Sequence, residues 1–458
     1  MGRLFSDSLK RRQAAGLVPV ILDIKCRSPK EGDLLRGRDP VQTARMLAAA
    51  GAPALSVVTE AAHFGGSLDL LKTTVQATGL PVLRKDFIRD QAAVAETARA
   101  GAAAILLIAA MLDRPLLTRL YHQALELGLE PLVETHTADE LAFAASLKAS
   151  LTGINNRDIR QLEKDSGTVQ ATAELAGRKP SGSVLVSESA IATPSDVRRA
   201  IANGTDAVLV GTALWQAEDM ILLYRQLSQA RPTLKICGLT QAGDVALCLD
   251  AGVDILGFVT EYPLPVPWNL TRQQAARLVQ TVRDNNRSSR SCLVTGGRPA
   301  AVVSLASELH PHLVQLHHQE TLAETRQIAE ALQPLGIGVI QAIPGDPVIR
   351  QARYGTADIA SAVEALNQTA VYALLADMRS PANAAQADLV LDPAFCRAVV
   401  AHAAKPVMVA GGLTPDRIEA TVAATGTAFI DIMSGVEIRP GVKDPKHLRQ
   451  AAEAMRHL

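Results

Sequence analysis

Polar and ionisable side chains end several short apolar runs in the first half of the sequence. They are Asp23, Lys25, Lys85, Glu134, Asn155 and Glu188. Each taken alone could be a solvated or ion-paired side chain, because charged residues are mostly exposed. Two lysines and several carboxylates brought together would shift one another's pKa values, and such groups suit acid–base catalysis. Because polar or ionisable residues end several separate runs, the sequence favours one shared proton-transfer site.

Small polar residues and glycine follow the last two apolar runs of the same half. Ser189 comes directly after Glu188, and the dipeptide Gly211-Thr212 follows the run DAVLVG. Backbone N–H groups in such loops bind phosphate, and neighbouring hydroxyls assist them. An ordinary turn would also explain Gly211-Thr212. The loops therefore indicate either a turn or a phosphate site.

The elements that position these residues alternate regularly along the chain. Continuous apolar runs of four to six residues are typical of strands buried on both faces of a parallel sheet. Between them lie amphipathic stretches that begin with Pro or end with Gly, as helices do. The runs of the first half are PVILDIK, PALSVVTE, PVLRKDF, AAILLIA, EPLVET, LTGINN, SVLVSE and DAVLVG. Those of the second are TLKICG, DILGFVT, SCLVTG, HLVQLH, GVIQAI, VYALLAD, PVMVAGG and AFIDIM.

Eight strand–helix units in each half predict an α/β protein of two consecutive (β/α)8 TIM barrels. We place the domains at residues 1–230 and 231–458. The polar residues then lie where the active site of this fold lies, at the carboxyl ends of the strands. The structural alternative is a doubly wound open sheet, but such sheets usually have fewer strands and a glycine-rich first turn, and G-x-G-x-x-G is absent.

The composition of the 458 residues bounds the function class. Lys+Arg and Asp+Glu both total 46 and aromatic residues make up 3%, so neither a basic surface nor a base-stacking surface is indicated. No run reaches the roughly 18 apolar residues of a membrane span. The five cysteines are odd in number and form no C-x-x-C pair, which suits a reducing compartment. We expect a cytoplasmic protein without nucleic-acid or membrane partners.

The first half resembles the indole-3-glycerol phosphate synthase family. The segments DIKCRSPKEG, TEAAHFGGS, LRKDFI, PLVETHT, GINNRD, VSESAI and LVGTAL occur in the family's order and spacing. The resemblance implies closure of a carboxyphenylamino-deoxyribulose phosphate to an indole with loss of CO₂ and water. Lys85 would be the general acid of ring closure, and Lys25, Glu134 and Asp23 would transfer the protons of dehydration.

The same resemblance assigns the binding residues. Asn155 and Glu188 would position the sugar hydroxyls and the lysines, Arg157 would hold the aromatic carboxylate, and Phe64 would line the ring pocket. Phosphate would contact Ser28, Ser189, Gly211 and Thr212. The chain departs from the family at Asp23, where a glutamate is usual, and at Ala190, where a glycine is usual.

The second half resembles phosphoribosylanthranilate isomerase through KICGLT, VAGGLTPDRI and DIMSGVEIRPGVKD. The resemblance implies an Amadori rearrangement, which needs an acid at the furanose oxygen and a base at the C2 proton. Cys237 would be the base and Asp377 the acid, whereas Cys237 taken alone would be a buried small apolar residue. Phosphate would be bound by Gly411, Gly412, Ser434 and Gly435.

Four features of the second half depart from that family. The segment EYPLPVPWNL lacks the arginine that binds the anthranilate carboxylate, and MRSPANAAQ replaces a glycine-rich loop. His318 stands where QLHG has its glycine, and Asp377 is shifted by one position. We expect Trp268 to form an apolar wall and the substrate carboxylate to be recognised weakly, with Arg298 and Arg379 as candidate cations.

These observations together predict a bifunctional tryptophan-pathway enzyme whose ligands are small phosphosugars. The resemblances imply no metal and no cofactor, and we expect a monomer. Two alternatives remain open at this point. The chain could be a paralogue acting on another phosphosugar–arylamine adduct, or its second barrel could only bind a phosphate ligand, since fold likeness does not determine function.

Overall fold

A computed structural model describes residues 4–157, 168–285, 289–378 and 391–458. The chain divides into two compact units, Met1–Ala230 and Arg231–Leu458. Each unit contains a closed parallel barrel of eight strands. The predicted fold class, two consecutive (β/α)8 barrels, is confirmed, and the open-sheet alternative is excluded by the closure of both sheets.

The first barrel is formed by every apolar run that the sequence pattern indicated. Its strands are β1 (Val20–Ile24), β2 (Leu55–Val58), β3 (Val82–Lys85), β4 (Ala104–Ile108), β5 (Glu130–Thr135), β6 (Leu151–Asn155), β7 (Val184–Glu188) and β8 (Ala207–Val210). Strand β1 pairs in parallel with both β2 and β8, which closes the sheet. The strands are almost wholly buried, because the interior side chains fill the barrel and helices cover its outside.

Helices alternate with these strands. They are α1 (Leu4–Ala14), α2 (Pro40–Ala49), α3 (Leu68–Thr78), α4 (Gln91–Arg99), α5 (Arg114–Glu126), α6 (Ala138–Ser146), α7 (Gln170–Leu175), α8 (Pro194–Ala202), α9 (Thr212–Gln216) and α10 (Met220–Ser228). Local sequence sets their starts. In α8, Thr193 and Asp196 form a capping box around Pro194 at the first helical position, which satisfies N–H groups that the first turn leaves free.

Helix α1 was not anticipated from the sequence. Phe5 and Leu9 are buried in the core at the barrel's interior, and the backbone N–H of Ser6 donates to Glu130 at the start of β5. The helix therefore contacts the amino-terminal ends of the strands, the end opposite the expected active site. The amphipathic pattern of this helix is weak, so the helix is stabilised by its packing against the barrel.

The second barrel repeats the arrangement. Its strands are β9 (Thr233–Ile236), β10 (Ile255–Val259), β11 (Arg290–Thr295), β12 (Leu313–Leu316), β13 (Gly338–Pro344), β14 (Ala373–Asp377), β15 (Val407–Ala410) and β16 (Phe429–Ile432). Its helices are α11 (Ala242–Ala251), α12 (Arg272–Asp284), α13 (Pro299–Leu309), α14 (Leu322–Leu332), α15 (Pro347–Tyr354), α16 (Ile359–Asn367), α17 (Pro393–His402), α18 (Ile418–Thr425) and α19 (Pro445–Arg456). Pairing of β9 with both β10 and β16 closes this sheet.

Two short hairpins lie after the first strand of the first barrel and the last strand of the second. One pairs Arg27–Ser28 with Gly32–Asp33, and the other pairs Glu437–Arg439 with Val442–Lys443. Among the helices that the structure describes, none has both the length and the apolar character of a membrane-crossing segment.

Candidate active sites of the two barrels

Lys85 lies at the centre of the polar cluster in the first barrel. Its Nζ is 3.3 Å from Glu134 Oε2 and 3.0 Å from Glu188 Oε2, and both carboxylate side chains are fully buried. The three residues come from β3, β5 and β7, and alternate strands of such a barrel contribute side chains to the same interior layer. The fold thus brings together three ionisable residues that are far apart in sequence.

The charges in this cluster perturb one another. Burial alone would lower the pKa of Lys85, but the neighbouring carboxylates Glu188, Glu134 and Asp23 outweigh it and raise that pKa. Burial raises the pKa of Glu188, and Glu134 adds to this while Lys85 opposes it. The pair is therefore a persistent ammonium beside a carboxylate with an unusually high proton affinity, an arrangement suited to proton donation and return.

Gly153 makes room for Glu188. A Cβ at Gly153, on the neighbouring strand β6, would lie 2.0 Å from Glu188 Oε1. No side chain can occupy that space without moving the carboxylate. The glycine of GINN is therefore a positioning element of the cluster.

Asp23 and Lys25 bring a second acid–base pair to the same cavity from β1 and its end. Asp23 Oδ1 accepts a 2.7 Å hydrogen bond from Ser56 Oγ on β2, which orients the carboxylate. Lys25 Nζ lies 5.7 Å from the ring centroid of Phe64, within cation–π range. Cation, carboxylate and aromatic ring thus line one cavity.

Asn155 also lines the cavity, whereas Arg157 lies just beyond it. Asn155 Oδ1 accepts a 3.0 Å hydrogen bond from the backbone N–H of Arg157, which fixes the loop after β6. Asn156, not singled out from the sequence, donates from Nδ2 to the carbonyls of Glu188 and Ser189. It therefore ties the ends of β6 and β7 together and holds Ser189 at the cavity.

The predicted phosphate residues are only partly brought together. Ser189 lines the cavity, and Gly211 packs against Asp23, where a Cβ would lie 3.2 Å from the Asp23 Cβ. Thr212 begins α9. Ser28 is buried, and its Oγ accepts from the N–H groups of Lys30 and Glu31 in its own hairpin. The structure thus does not place Ser28 in the lining of this cavity.

The loop after β7 has two consecutive residues in the left-handed region. Ser189 has φ 64° and Ala190 has φ 57°. A side chain at such a φ is strained, which gives a physical reason for the glycine usual at the position of Ala190.

The sequence pattern missed Glu60 and His136. Glu60 lines the cavity and accepts hydrogen bonds from the N–H groups of His63 and Phe64, so it holds the loop that carries Phe64. His136 Nε2 lies 3.7 Å from Glu134 Oε1 and its Nδ1 3.8 Å from Glu140 Oε2. Glu60 ends the apolar run PALSVVTE, just as the candidate residues end their own runs, so the sequence carried a signal for it.

The second barrel holds a cavity of about 380 Å³ at the carboxyl ends of its strands. Cys237 and Asp377, the predicted base and acid, both line it. So do Gly411, Gly412 and Ser434, the predicted phosphate residues. The volume is that of a small-molecule site.

Cys237 follows β9 and is buried at 5% exposure. Gly257 on β10 leaves space for its sulfur, since a Cβ there would lie 2.9 Å from Sγ. Burial raises the pKa of the thiol, an effect that Lys235 partly offsets. Lys235 is itself bound to Asp431, with Nζ 2.6 Å from Oδ2. The resting side chain is therefore a thiol, which must lose its proton before acting as a base.

Asp377 ends β14 and faces His317, whose Nε2 is 3.1 Å from Asp377 Oδ2. His317 was not singled out from the sequence, although it follows the run HLVQL. The pair is held from another side by Tyr262, whose hydroxyl donates to the His317 carbonyl at 2.7 Å. A carboxylate in contact with an imidazole can both hold and exchange a proton.

The predicted phosphate site of the second barrel depends on the close approach of two loops. Gly411 has φ 122° and Gly412 has φ 60°, where glycine is favoured. A Cβ at Gly435 would lie 1.9 Å from the Leu413 carbonyl oxygen. Only glycine permits this contact, so the loops after β15 and β16 meet beside the cavity.

Apolar side chains form the opposite wall. Trp268 lines the cavity as expected, and its indole N–H donates to Glu437 Oε1 at 2.9 Å, which fixes the ring. Arg298 is exposed and does not line the cavity, and Arg379 lies outside the described residues. His318 is accommodated by Gly296, where a Cβ would lie 2.5 Å from the His318 Cβ.

Comparison with known proteins assigns a family to each half. Residues 2–227 match the family model of indole-3-glycerol phosphate synthase, and residues 234–454 match that of N-(5'-phosphoribosyl)anthranilate isomerase. The first half is 47% identical over 212 residues to the indole-3-glycerol phosphate synthase of Pyrococcus furiosus, covering 46% of this chain and 92% of that protein. It is 43% identical over 209 residues to the synthase of Leifsonia xyli, covering 46% and 79%.

Solved structures with similar folds match about half of the chain. The structure of TrpF from Jonesia denitrificans is 26% identical, covers 49% of this chain and 97% of its own, and superposes with a TM-score of 0.38. Phosphoribosyl anthranilate isomerase from Thermotoga maritima is 22% identical and covers 50% and 100%, with a TM-score of 0.40.

Proposed function

This chain belongs to the indole-3-glycerol phosphate synthase family, and we propose how its residues perform the two reactions of a bifunctional tryptophan-biosynthesis enzyme. A phosphoribosylanthranilate isomerase domain follows the synthase domain on its C-terminal side. The first barrel is a decarboxylating lyase and the second an isomerase. The substrates are small phosphosugar compounds. The five cysteines are free, in keeping with our proposal of a cytoplasmic location.

In the first barrel, Lys85 donates a proton to the ketose carbonyl while the carboxylate-bearing aryl carbon attacks it. A carbon–carbon bond forms, the carbonyl π pair becomes a hydroxyl, and the carboxylate leaves as CO₂ with its bonding pair restoring the ring. The buried contacts to Glu134 and Glu188 keep Lys85 charged and aimed at the substrate. A positioned acid of this kind accelerates such a step by about 10²–10⁴-fold.

Dehydration follows in the same cavity. The new hydroxyl leaves as water with a proton from Lys25, and a carboxylate, Glu134 or Asp23, accepts the proton that the adjacent carbon loses. Phe64 packs against the aromatic ring, and Arg157 binds its carboxylate before decarboxylation. Asn155 binds sugar hydroxyls, and the phosphate is bound at Ser189, Gly211 and Thr212. Ser28 is the fourth candidate, and its Oγ also accepts hydrogen bonds from N–H groups of its own hairpin.

In the second barrel, Asp377 gives a proton to the furanose oxygen as the anomeric carbon–oxygen bond breaks and the amine lone pair forms an iminium. Cys237, as the thiolate, removes the C2 proton, and the resulting enolamine becomes the aminoketose. One proton enters at the ring oxygen and one leaves from C2, so substrate and product have the same composition. Gly411, Gly412, Ser434 and Gly435 bind the phosphate, and backbone N–H groups can supply that contact.

One observation carries the assignment for each barrel. For the first it is the fully buried carboxylate pair around Lys85, and for the second it is the single cavity shared by Cys237, Asp377 and the glycine loops. The intact chain is assayed on both authentic substrates as the wild type and as Lys85→Ala and Cys237→Ala. We expect each variant to lose one activity by at least about 10²-fold and to keep the other.

Lys72→Ala is the matched control, since Lys72 is an exposed lysine of α3. It should leave both activities unchanged. Near-normal indole formation by Lys85→Ala would refute the first assignment. Near-normal consumption of phosphoribosylanthranilate by Cys237→Ala would refute the second and favour a barrel whose base lies elsewhere.

A further inference from the structure

A buried arginine faces the cavity of the second barrel. Arg353 lies near the end of α15, is only 7% exposed, and lines the cavity. Its Nη2 donates to the carbonyl of His318, while its Nε is buried and has no hydrogen-bond partner. In the part of the chain that the structure describes, no carboxylate oxygen lies within 4.0 Å of an Arg353 guanidinium nitrogen, the limit for an ion pair. A buried cation without an anion is costly unless a ligand supplies one.

Two other buried arginines among the described residues have different surroundings. Arg84 contacts the carboxylates of Asp86 and Glu96, and Arg350 donates to the carbonyls of Pro344, Gly345 and Ala357. Each of those guanidinium groups donates to several groups of the protein itself. Arg353, by contrast, has a buried Nε without a hydrogen-bond partner and lines a cavity.

The surroundings of Arg353 fit an aromatic acid. Tyr262 and Arg353 donate to the carbonyls of the consecutive residues 317 and 318, and both side chains line the cavity. Val259, Val266 and Trp268 line the same cavity with apolar surface, which suits an aryl ring. His317 lines the same cavity and contacts Asp377, the predicted acid, through its Nε2.

We propose that Arg353 binds the ring carboxylate of the arylamine substrate in the second barrel, in place of the arginine missing from EYPLPVPWNL. The guanidinium reaches the cavity from α15, the helix after β13, whereas the family's arginine follows the second strand. A guanidinium fork binds a carboxylate through two charge-assisted hydrogen bonds. This inference rests on the proposed isomerase function, and it reverses the weak carboxylate recognition expected from the sequence.

The test compares phosphoribosylanthranilate with its analogue lacking the carboxylate, phosphoribosylaniline. The isomerase kcat/KM of the intact wild-type chain should favour the carboxylated compound by about a hundredfold or more, which corresponds to about 2.7 kcal/mol. Arg353→Gln, which keeps an N–H donor for the His318 carbonyl, should reduce that preference to a few-fold by slowing only the carboxylated compound. Arg298→Gln, an exposed arginine of the same barrel, should change neither value.

Inorganic phosphate reports whether the variant barrel is intact. Its inhibition constant against the isomerase should be equal in Arg353→Gln and the wild type. The inference is overturned if the wild type prefers the carboxylated compound less than tenfold, if Arg353→Gln slows both compounds equally, or if Arg298→Gln abolishes the preference.

A separate readout distinguishes failure of the isomerase function from failure of this inference. If the wild type turns over neither compound, the isomerase proposal fails. Arg353 is then judged by calorimetric binding of the reduced, unreactive aminoketose phosphate with and without its carboxylate. Because the first barrel is identical in both chains, a carboxylate-dependent difference between wild type and Arg353→Gln belongs to the second barrel and supports the inference. Equal binding overturns it.

Discussion

Adding one methyl group at Gly153 tests whether the position of Glu188 matters for catalysis. The Cβ of Gly153→Ala would lie 2.0 Å from Glu188 Oε1 and 3.2 Å from its Cδ. Ordinary van der Waals contact begins at 3.4 Å, so the oxygen must move by about 1.4 Å from its place 2.0 Å away. The Glu188 Oε2 contact to Lys85, now 3.0 Å, cannot survive such a shift unchanged.

The expected effect is a fall of about 10²-fold in the kcat of the synthase, because a misplacement of about 1 Å in a catalytic constellation costs that much. The isomerase rate should not change, since its site lies in the other unit. Indole formation under single-turnover conditions measures the loss, and phosphoribosylanthranilate consumption in the same preparation monitors the second barrel.

Gly177→Ala is the matched control. Gly177 lies in the same barrel, and a Cβ there would have no neighbour within 4 Å. It should keep the wild-type synthase rate. Combining Gly153→Ala with Glu188→Gln should cost little more than the worse single change, since both act on one carboxylate. A Gly153→Ala enzyme with near-normal kcat, or fully additive effects, would refute the role given to the position of Glu188.

Three further outcomes are expected. Asp377→Asn should abolish the isomerase and leave the synthase intact, whereas full isomerase activity would mean that the acid lies elsewhere. The isomerase kcat/KM should rise with pH through the neutral range and beyond, because the base must be a thiolate and burial raises the pKa of Cys237; a profile that is flat from pH 6 to about 9 would contradict this. Ala190→Gly should stabilise the first barrel by about 0.5–1 kcal/mol in denaturant unfolding, because the left-handed φ of 57° strains alanine, and an unchanged or lower stability would contradict that reasoning.

The residue pattern was sufficient to predict the architecture and the family. Each strand is buried on both faces, so each appears as a continuous apolar run, and eight such runs per half predicted the barrels that the structure contains. Because a barrel places its site at the carboxyl ends of its strands, the polar residues that end those runs were also recognisable. Lys85, Glu134 and Glu188 needed no structure to be selected as candidates.

Tertiary structure alone decided which candidates meet and what supports them. Helix α1 has too weak a pattern to be predicted, since its burial is created by the barrel end it contacts. Ser28 stays a predicted phosphate residue, and the structure adds that its Oγ accepts hydrogen bonds from Lys30 and Glu31 in its own hairpin. Arg353 sits in a helix far along the sequence from EYPLPVPWNL, and only the folding of β10, β12 and β13 into one barrel brings it beside Tyr262. Such contacts depend on distances between side chains remote in sequence, and periodicity carries no information about those distances.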